Sequence, residues 1–393
     1  MLERAILNKA GWTRVAFGDV VRKVSDKVDP WETGLERYVA GDHMDTDDLR
    51  IRRWGLIGDD YLGPAFHMRF KPGHVLYGSR RTYLRKVALA DFEGITANTT
   101  YVLETRDPKV LMPEMLPFIM QTEAFHENSI ARSKGSVNPY VNFSDIACFE
   151  FSLPPIQEQA RLVDTLKTAE DAAAAMLQAS ETASKLFLSL LDDMMDQLSD
   201  VRSLAISAVC ADGAPLRYGV VQPGGNVADG VPLIRVCDIE TNEINRTKLK
   251  RISPEIHNEY KRSRIATGDV LVSIVGTIGR VYIAANEDDG TNIARAIARI
   301  RTSDEVSPAF LAYVLKSPAY QKVLINEAFE SARKTLNLNA LGALEVPVPA
   351  MLDQEKWCEK LAQIERERRK IEDRYLVLRG FVTKILTEEI ASK

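Results

Sequence analysis

The sequence has few of the residues that build metal centres, disulfide frameworks or membrane spans. Its 393 residues include only four cysteines and five histidines. The cysteines, at positions 148, 210, 237 and 358, lie far apart and form no CxxC pair. This spacing argues against the common zinc motifs, so we expect buried, free thiols. No run of about 18 apolar residues is present, as a membrane-spanning helix would require. Residues 1–14 lack an apolar signal core, and the sequence therefore predicts a cytoplasmic protein.

An excess of positive charge is also lacking. The chain has 51 Lys and Arg residues against 55 Asp and Glu residues, which gives a formal net charge of -4. DNA binding needs Lys and Arg to neutralise phosphates, so any nucleic-acid surface on this chain must be local. Residues 69–86 supply such a cluster, with six cations and no acidic residue, whereas acidic residues gather at 42–48 and 192–200. This segregation predicts a basic patch.

The sequence repeats itself at a constant offset, which places position 73 on position 268. Such self-similarity identifies a duplication, and the length of the chain also favours two or three domains. The register slips by one position where Asn98 falls on Asn292 and is otherwise kept. Matching positions include residues 73–76 with 268–271, Pro113 with Pro308, Ser136 with Ser331, Asn142 with Asn337, Gln159 with Gln354 and Leu166 with Leu361.

Each half combines strand and helix patterns. Short runs rich in β-branched residues at 75–77 and 269–274 are bounded by Gly, Pro or Asp and predict strands. Segments 113–125 and 308–320 have apolar residues at helical spacing, with proline in the first turn, and each predicts one helix. A further strand-like run, at 149–153 and 344–348, ends each half at prolines. The halves are therefore mixed α and β.

A long helical segment with heptad spacing follows each half. Such spacing predicts a coiled coil, and about 40 helical residues make a rod of roughly 60 Å. We expect the two stripes to pair with each other, although helices of a larger bundle are the alternative. The predicted seam is Leu162, Leu166, Ala169, Ala173, Met176, Ser180, Ala183, Phe187, Leu190 and Met194 in the first helix, and Trp357, Leu361, Ile364, Arg368, Ile371, Tyr375, Leu378, Val382 and Ile385 in the second.

The entry into the first long helix carries a family resemblance. Residues 153–159 read LPPIQEQ, and they are preceded by GITAN at 94–98 and GSVN at 135–138. With the duplicated organisation, the whole chain resembles the specificity subunits of type I restriction-modification enzymes. The second half departs from the pattern, because MLDQE stands at 351–355 and Glu330 stands where the first half has Gly135.

The resemblance implies an α+β fold in which two duplicated mixed α/β target-recognition domains are separated by a long antiparallel two-helix coiled coil. Residues 1–153 are then the first recognition domain and 154–199 the first spacer helix. Residues 200–349 are the second recognition domain and 350–393 the second spacer helix. Each recognition domain would read one part of a split, asymmetric sequence in double-stranded DNA. The length of the helices would then set the gap between the two parts.

The resemblance also implies partners. The helices would dock two methyltransferase subunits and the restriction/translocase subunits of the same complex. S-adenosylmethionine, ATP and magnesium are expected on those partners, with no cofactor or metal on this chain. Two alternatives remain. The chain could be the specificity subunit of a complex that only methylates, or a duplicated coiled-coil scaffold for other proteins. The neighbouring genes would distinguish a restriction system from methylation alone.

Two segments of the first half are candidate DNA-contacting loops. Residues 78–86 combine a glycine turn with four cations and an aromatic side chain, and residues 132–140 place two cations and small polar side chains beside Gly135. Arg can pair with guanine, and Lys, Arg, Ser and Thr can hold phosphates. A solvated hairpin is the alternative for 78–86. The candidates are Ser79, Arg80, Arg81, Thr82, Tyr83, Arg85, Lys86, Arg132, Lys134, Ser136, Asn138 and Tyr140.

The second half offers a weaker set of candidates. Its basic stretch is diluted by glutamates and predicts phosphate contact rather than base reading. The turn at 276–280 occupies a position like that of Arg80 and Arg81, and residues 333–337 are the counterpart of the loop at 132–140. The candidates are Lys261, Arg262, Arg264, Thr277, Arg280, Asn292, Arg295, Arg333 and Lys334.

Catalytic motifs are missing. No GxxxxGK[ST] phosphate loop is present, and the glycines at 276 and 279 are too close together and lack the lysine. Residues 138–140 read NPY, with one proline fewer than the [DNS]PP[YFW] site of an amino-methyltransferase, and no glycine-rich cofactor turn precedes them. We therefore predict that the chain is not an enzyme but recognises DNA for a methyltransferase and endonuclease complex.

Overall fold

The computed structural model describes residues 11–58, 62–240, 243–329 and 335–387. The chain divides into two compact units. Unit 1 comprises Met1–Leu177 together with Asp373–Lys393, and unit 2 comprises Gln178–Glu372. Two long helices each contribute one part to unit 1 and the other part to unit 2.

The elements follow one another in mostly the same order in both units. In unit 1 they are β1 Thr13–Ala16, α1 Phe17–Val20, β2 Val21–Val24, β3 Arg37–Val39, β4 Gly55–Leu56, β5 Phe66–Phe70, β6 Val75–Gly78, β7 Val87–Leu89, β8 Gly94–Ala97, β9 Thr100–Thr105, α2 Leu116–Met120, α3 Glu123–Ala131, α4 Phe143–Ala147 and β10 Glu150–Leu153, followed by the first long helix, α5 Ile156–Gln197.

Unit 2 then begins with a strand that matches β1. Its elements are β11 Ser203–Ala205, β12 Arg217–Tyr218, β13 Val231–Ile234, β14 Ile239–Glu240, β15 Glu243–Ile244, β16 Lys250–Ile252, α6 Pro254–Glu259, β17 Val270–Ser273, β18 Val281–Ile283, β19 Asn292–Ile293, β20 Ile297–Ile300, α7 Pro308–Lys316, α8 Pro318–Phe329, α9 Leu338–Ala343 and β21 Glu345–Pro347, followed by the second long helix, α10 Met351–Ile385.

The sheets confirm the duplication. In unit 1 the strand orders are β2-β9-β6-β7 and β4-β3-β8-β5, and β1 pairs with β10. Unit 2 repeats the first sheet as β12-β20-β17-β18 and the pair as β11 with β21. Its other sheet, β16-β13-β19, matches β4-β3-β8 without a described counterpart of β5, and the small hairpin β14-β15 is added. One parallel pair, β3 with β8 and β13 with β19, occurs in each unit among otherwise antiparallel strands. Both units are therefore mixed α and β, as predicted.

Strands β6 and β17 are buried on both faces. Alternate residues of a strand point to opposite sides, so Val75 and Tyr77 join one core of unit 1 while Leu76 joins another. Val270 and Leu271 divide between two cores of unit 2 in the same way. A strand covered on both faces has a continuous apolar sequence, which explains the pattern that predicted it.

The predicted one-position slip at Asn98 is wrong. Val75 of β6 pairs with Leu103, whereas Val270 of β17 pairs with Ile300, so the partner strand is displaced by two positions from the offset that relates β6 to β17. The parallel pairs show the same displacement, because Tyr38 lies opposite Ile95 and Leu233 lies opposite Asn292. The structural counterpart of Asn98 is therefore Arg295.

The single helix predicted in each half is broken into two. In unit 1, Thr122 separates α2 from α3, and its hydroxyl donates to the Ile119 carbonyl at 2.8 Å. In unit 2, Ser317 separates α7 from α8, and its hydroxyl donates to the Val314 carbonyl at 2.8 Å. These hydroxyls also accept the backbone N–H three residues later, which caps the following helix.

The seams predicted for the two long helices are confirmed. Every seam residue is buried or half-buried. Leu162 near the start of α5 and Val382 near the end of α10 share the main core of unit 1. Met194 near the end of α5 and Leu361 near the start of α10 share the main core of unit 2. The two helices therefore run antiparallel.

The cysteines differ in part from expectation. All four are free thiols, but Cys148 and Cys237 are exposed rather than buried. Cys210 and Cys358 are half-buried, and burial raises the pKa of the Cys358 thiol to about 11. Among the described residues, no helix combines the length and the apolar character needed to cross a membrane.

Candidate nucleic-acid interface

The two loops predicted in the first half meet in unit 1. Arg80 and Tyr140 form an antiparallel bridge, and the Arg81 N–H donates to the Pro139 carbonyl at 2.6 Å. The loop that ends at Tyr140 is closed by two backbone hydrogen bonds between Lys134 and Tyr140, of 2.8 and 2.9 Å. Backbone bonds therefore hold both loops together whatever their side chains are.

Exposed cations and two tyrosine side chains lie on these loops. The Arg80 guanidinium lies 5.7 Å from the centre of the Tyr140 ring. Within the described part of the chain, neither Arg80 nor Arg81 has a carboxylate at ion-pair distance. We call this area the first loop surface. It consists of the exposed residues Arg80, Arg81, Tyr83, Arg132, Lys134, Ser136, Val137, Asn138 and Tyr140.

Two of these side chains have local constraints. Arg81 has a φ of 50°, in the left-handed region that non-glycine residues avoid. Lys134 donates to Asp145 at 3.1 Å, and this bond is the main reason that the pKa of the Asp145 carboxyl is lowered. The first loop surface therefore keeps Arg80 and Arg81 as unpaired cations and Lys134 as a paired one.

The remaining predicted residues of this half have structural partners instead. Arg85 donates to Asp47 at 2.8 Å and to Glu123 at 2.7 Å, and Lys86 donates to the Gly41 carbonyl at 2.5 Å. Ser79 and Thr82 are buried, and the Ser79 hydroxyl donates to the Thr99 carbonyl at 2.6 Å. We therefore leave these four side chains out of the first loop surface, which corrects the wider set taken from the sequence.

Unit 2 repeats the backbone arrangement with different side chains. Val275 and Thr335 form the bridge that Arg80 and Tyr140 form in unit 1. The Leu336 N–H donates to the Ile274 carbonyl at 3.0 Å, as the Val141 N–H donates to the Ser79 carbonyl at 2.9 Å. An aliphatic and a small hydroxyl side chain thus replace a cation and an aromatic ring.

An open groove of about 900 Å³ lies beside this bridge. Most of its lining is apolar, and Arg295 is its one cation among the described residues. A second groove of about 560 Å³ shares Tyr218, Val221 and Leu338 with the first and adds Lys261 and Arg262. We call the following exposed residues of both grooves the second loop surface: Tyr218, Val221, Glu259, Lys261, Arg262, Arg295, Asn337 and Asn339.

Three predicted residues of unit 2 support the fold. Asn292 is fully buried and donates to the Ser263 hydroxyl at 2.8 Å and to the Tyr260 carbonyl at 3.1 Å. Arg280 donates to two carbonyls, of Val236 and Ile239, at 3.0 and 2.6 Å. Arg264 donates to Asn258 at 2.9 Å and to the His257 carbonyl at 3.1 Å. We leave all three out of the second loop surface for this reason.

The other predictions for unit 2 have mixed outcomes. Lys261, Arg262 and Arg295 lie on the second loop surface, and Thr277 is exposed on the neighbouring turn. Arg333 and Lys334 lie outside the described residues.

Sequence reasoning missed Tyr218 and Val221, which are 50% and 38% exposed. Cations identified most of the other candidates, and neither of these residues is a cation. The available signal was weak: Tyr218 stands between Arg217 and Gly219, and Val221 stands between Val220 and Gln222. Across the described ranges, no group of three or more His, Cys, Asp or Glu side chains is arranged to hold a metal ion.

Known relatives match this chain in sequence. One region of 151 residues is 46% identical to the type I restriction enzyme EcoBI specificity subunit of Escherichia coli, and it covers 38% of this chain and 32% of that protein. A region of 153 residues is 25% identical to the EcoDI specificity subunit of the same organism, covering 39% and 33%. The matched region spans about a third of the length of each relative.

Solved structures match the fold over nearly the full chain. The type I restriction-modification system S subunit from M. genitalium superposes with a TM-score of 0.62 at 14% identity, over 99% of this chain and 98% of that one. A chain from a structural study of complex assembly and conformational transition in the type I R-M system gives a TM-score of 0.59 at 19% identity, over 96% and 97%. At these identities the likeness shows the fold.

The family match covers both halves of the chain. Residues 57–181 and 227–375 each match the family described as the type I restriction modification DNA specificity domain. The two segments together make up more than two thirds of the sequence. The chain therefore belongs to the type I restriction-modification DNA specificity family and carries two copies of its domain.

Proposed function

We propose that this chain is the subunit that reads a bipartite, asymmetric DNA target for a type I restriction-modification complex, and that it performs no chemistry itself. Residues 1–153 and 200–349 serve as target-recognition domains, and residues 154–199 and 350–393 serve as spacer helices. One observation carries the proposal. The Arg80–Tyr140 bridge and the Val275–Thr335 bridge place different side chains on the same backbone frame.

The first loop surface suits a half-site that contains guanine. Arg80 and Arg81 are exposed and lack carboxylate partners in the described structure, so their guanidinium groups can face the O6 and N7 acceptors of guanine in the major groove. Arg132 and Lys134 lie beside them and suit phosphate contact, which fixes register without reading sequence. Tyr140 stacks near Arg80 and limits the directions that its guanidinium can take.

The second loop surface suits a different half-site. Its apolar groove beside Val275 fits the methyl group of thymine, which is the apolar feature of the major groove. Arg295 is the cation that this groove offers for a base or a phosphate. Lys261 and Arg262 on the adjoining groove suit phosphates. Different chemistry on one frame would make the target asymmetric.

The long helices carry exposed apolar side chains at one pair of matching positions, which suits docking of a partner. Leu186 on α5 and Phe381 on α10 occupy matching positions of the repeat, and they are 55% and 41% exposed. Leu376 and Val377 extend the exposed apolar area near Phe381. A matched pair of such positions supports docking of two copies of the same subunit, and the methyltransferase is the partner that the family implies. Restriction subunits would join the same complex.

The catalytic steps belong to those partners in this proposal. S-adenosylmethionine, ATP and magnesium would bind to the methyltransferase and restriction subunits, and this chain would act in the cytoplasm because its ligand is chromosomal or invading DNA. Its own contribution is to place the two loop surfaces on the target.

In vitro selection from a random duplex library tests the proposal, with the chain alone and in complex with its methyltransferase. The wild-type protein should enrich two separate half-sites. The double variant Arg80→Ala/Arg81→Ala should lose roughly 10- to 100-fold in affinity for duplexes that carry the first half-site and should keep its preference at the second. Binding is measured at several salt concentrations, because each lost phosphate contact lowers the salt slope by about 0.9.

A matched control separates recognition from charge. Lys71→Ala/Lys109→Ala also removes two exposed cations of unit 1. These residues lie beyond the ends of β6 and β9 that are opposite the first loop surface, and the variant should keep both half-sites. Equal loss at both half-sites in the Arg80/Arg81 variant would contradict modular reading, and a wild-type chain that enriches no sequence would contradict DNA recognition.

A further inference from the structure

We infer that Arg379, on the second long helix, is a positioning residue for sequence reading by the first loop surface. This inference rests on the proposed function. Arg379 lies far along the sequence from Arg80 and Arg81 but belongs to the same unit. It touches no base in this scheme and acts by fixing the turn that presents Arg81.

Arg379 joins the two long helices to the acidic segment 42–48 of unit 1. Its Nη1 donates to Glu170 Oε1 on α5 at 2.7 Å, and its Nη2 donates to the Asp47 carbonyl at 2.9 Å. Burial raises the pKa of Glu170, and the charge of Arg379 opposes that rise. Two bonds from one planar guanidinium fix the Asp47 backbone more firmly than a single flexible contact would.

Asp47 in turn holds the turn that follows Arg81. The Asp47 carboxylate accepts from Arg85 Nε at 2.8 Å, and the Arg85 carbonyl accepts from the Asp47 N–H at 3.4 Å. The neighbouring Thr46 hydroxyl donates to the Leu84 carbonyl at 2.8 Å. Hydrogen bonds from residues 46–47 therefore hold the end of the short 3-10 turn Thr82–Leu84 in place.

That turn is held in an unfavourable conformation. Arg81 and Arg85 flank it with φ values of 50° and 52°, and Asp47 has a φ of 55°. They are the described non-glycine residues with positive φ, and all three belong to this one network. Left-handed backbone at non-glycine residues persists only where surrounding contacts hold it. Loss of the Arg379 bonds should therefore let the turn relax and move Arg81 away from its reading direction.

The equivalent helix position of unit 2 carries a different side chain with a different contact. Ser184 is the counterpart of Arg379 in the repeat, and its hydroxyl donates to the Ser180 carbonyl of its own helix at 2.9 Å. The counterpart of Arg81 is Gly276, which adopts a φ of 79° without the cost that arginine has. The effect of Arg379 should therefore be confined to the first half-site.

The test measures discrimination rather than affinity alone. The wild-type chain and Arg379→Ala bind four duplexes: one with the selected target, one with its first half-site scrambled, one with its second half-site scrambled, and one with both scrambled. We expect Arg379→Ala to lose about tenfold of the preference for the intact first half-site. Binding to the fully scrambled duplex, its salt slope and the preference at the second half-site should not change, because no DNA contact is removed.

Two further variants keep the test decisive. Thr46→Val preserves shape, removes the bond to Leu84, and should lose about threefold of the same preference. Ser184→Ala is the matched control in unit 2 and should change neither half-site. Unchanged discrimination at the first half-site in Arg379→Ala would overturn the inference. If Arg379→Ala loses both half-sites through unfolding, Thr46→Val decides: loss at the first half-site alone supports the inference, and no loss overturns it. A wild-type chain that enriches no sequence would instead overturn the proposed function.

Discussion

Units 1 and 2 are most alike where the long helices begin. Gln159 is fully buried, accepts from the Met112 N–H at 2.9 Å, and donates to the Val110 and Pro154 carbonyls at 2.8 and 2.9 Å. In unit 2, Gln354 makes the same three bonds to the counterparts of those groups, at 2.8, 2.8 and 3.0 Å. One side chain thus fastens a loop and a strand end to each long helix.

The units differ most where the loops meet. Arg80 and Tyr140 of the first bridge are replaced by Val275 and Thr335 in the second, although the backbone pairing is the same. Bonds between backbone groups do not depend on side-chain identity, so these positions can change without loss of the frame. Within one duplicated fold, the backbone pairing at the bridge is shared by both units, whereas the side chains at the bridge differ.

Removal of the shared glutamine should have the largest effect. Gln159→Leu or Gln354→Leu leaves one partly buried N–H and two carbonyls without their partner, and each orphaned buried group costs about 1–3 kcal/mol. We expect the free energy of unfolding of the affected unit to fall by about 3 kcal/mol, and by a similar amount in either unit. Denaturant unfolding combined with hydrogen exchange for each unit measures this.

The exposed glutamines of the same helices are the controls. Gln157→Leu on α5 and Gln363→Leu on α10 should change stability by less than about 0.5 kcal/mol. A large loss for Gln159→Leu with little loss for Gln354→Leu would show that the two supports are not equivalent.

A second prediction concerns a buried position at which units 1 and 2 carry different side chains. His126 is buried and its two ring nitrogens have no hydrogen-bond partner, whereas its counterpart Gln321 donates to the Gly279 and Leu315 carbonyls at 2.8 and 2.7 Å. Burial, with a smaller contribution from the charge of Arg85, lowers the pKa of His126 to about 3. The unfolded chain, with a histidine pKa of about 6.5, therefore takes up this proton first as the pH falls.

Unit 1 should accordingly lose stability below about pH 6.5. From pH 7.5 to pH 5, this histidine alone should lower the free energy of unfolding by about 2 kcal/mol. The variant His126→Gln, which gives unit 1 the residue of unit 2, should lack that part of the decline. His67→Gln, at a partly exposed position of β5, should keep the wild-type dependence. Parallel pH profiles for wild type and His126→Gln would contradict the prediction.

Much of the fold could be predicted because it follows from periodic patterns in the sequence. Heptad spacing located both long helices, and the constant offset identified the duplication. The offset fails between β6 and β9, where unit 2 carries a net two extra residues that are compensated before α7. It also fails at β1 and β11, because Ala16 pairs with Glu150 as Ala205 pairs with Glu345. Insertions in loops leave no periodic signal, so the match of Asn98 to Arg295 needed the strand register.

The reading positions were harder to predict because neighbouring residues have opposite roles. Arg80 and Arg81 are exposed, whereas Arg85, four residues later, is bound by Asp47 and Glu123. A left-handed backbone at Arg81 and Arg85 turns the chain between them, and composition does not reveal that geometry. Asn292 failed as a candidate for the same kind of reason, since a buried amide and an exposed one look identical in sequence.

The smallest effect should come from one charge beside each loop surface. Asp145 pairs with Lys134 in unit 1, and its counterpart in unit 2 is Ala340, which lines the larger groove. Asp145→Asn keeps an acceptor for the Asn142 N–H and should raise affinity for non-specific duplex about twofold at low salt. Ala340→Asp should lower it by a similar factor, and both effects should vanish at high salt. Because the pKa of the Asp145 carboxyl is lowered, the difference should persist at pH 5. Equal affinities of wild type and Asp145→Asn at low salt would mean that the Lys134–Asp145 pair does not face the DNA, and Lys134 would then have to be removed from the first loop surface.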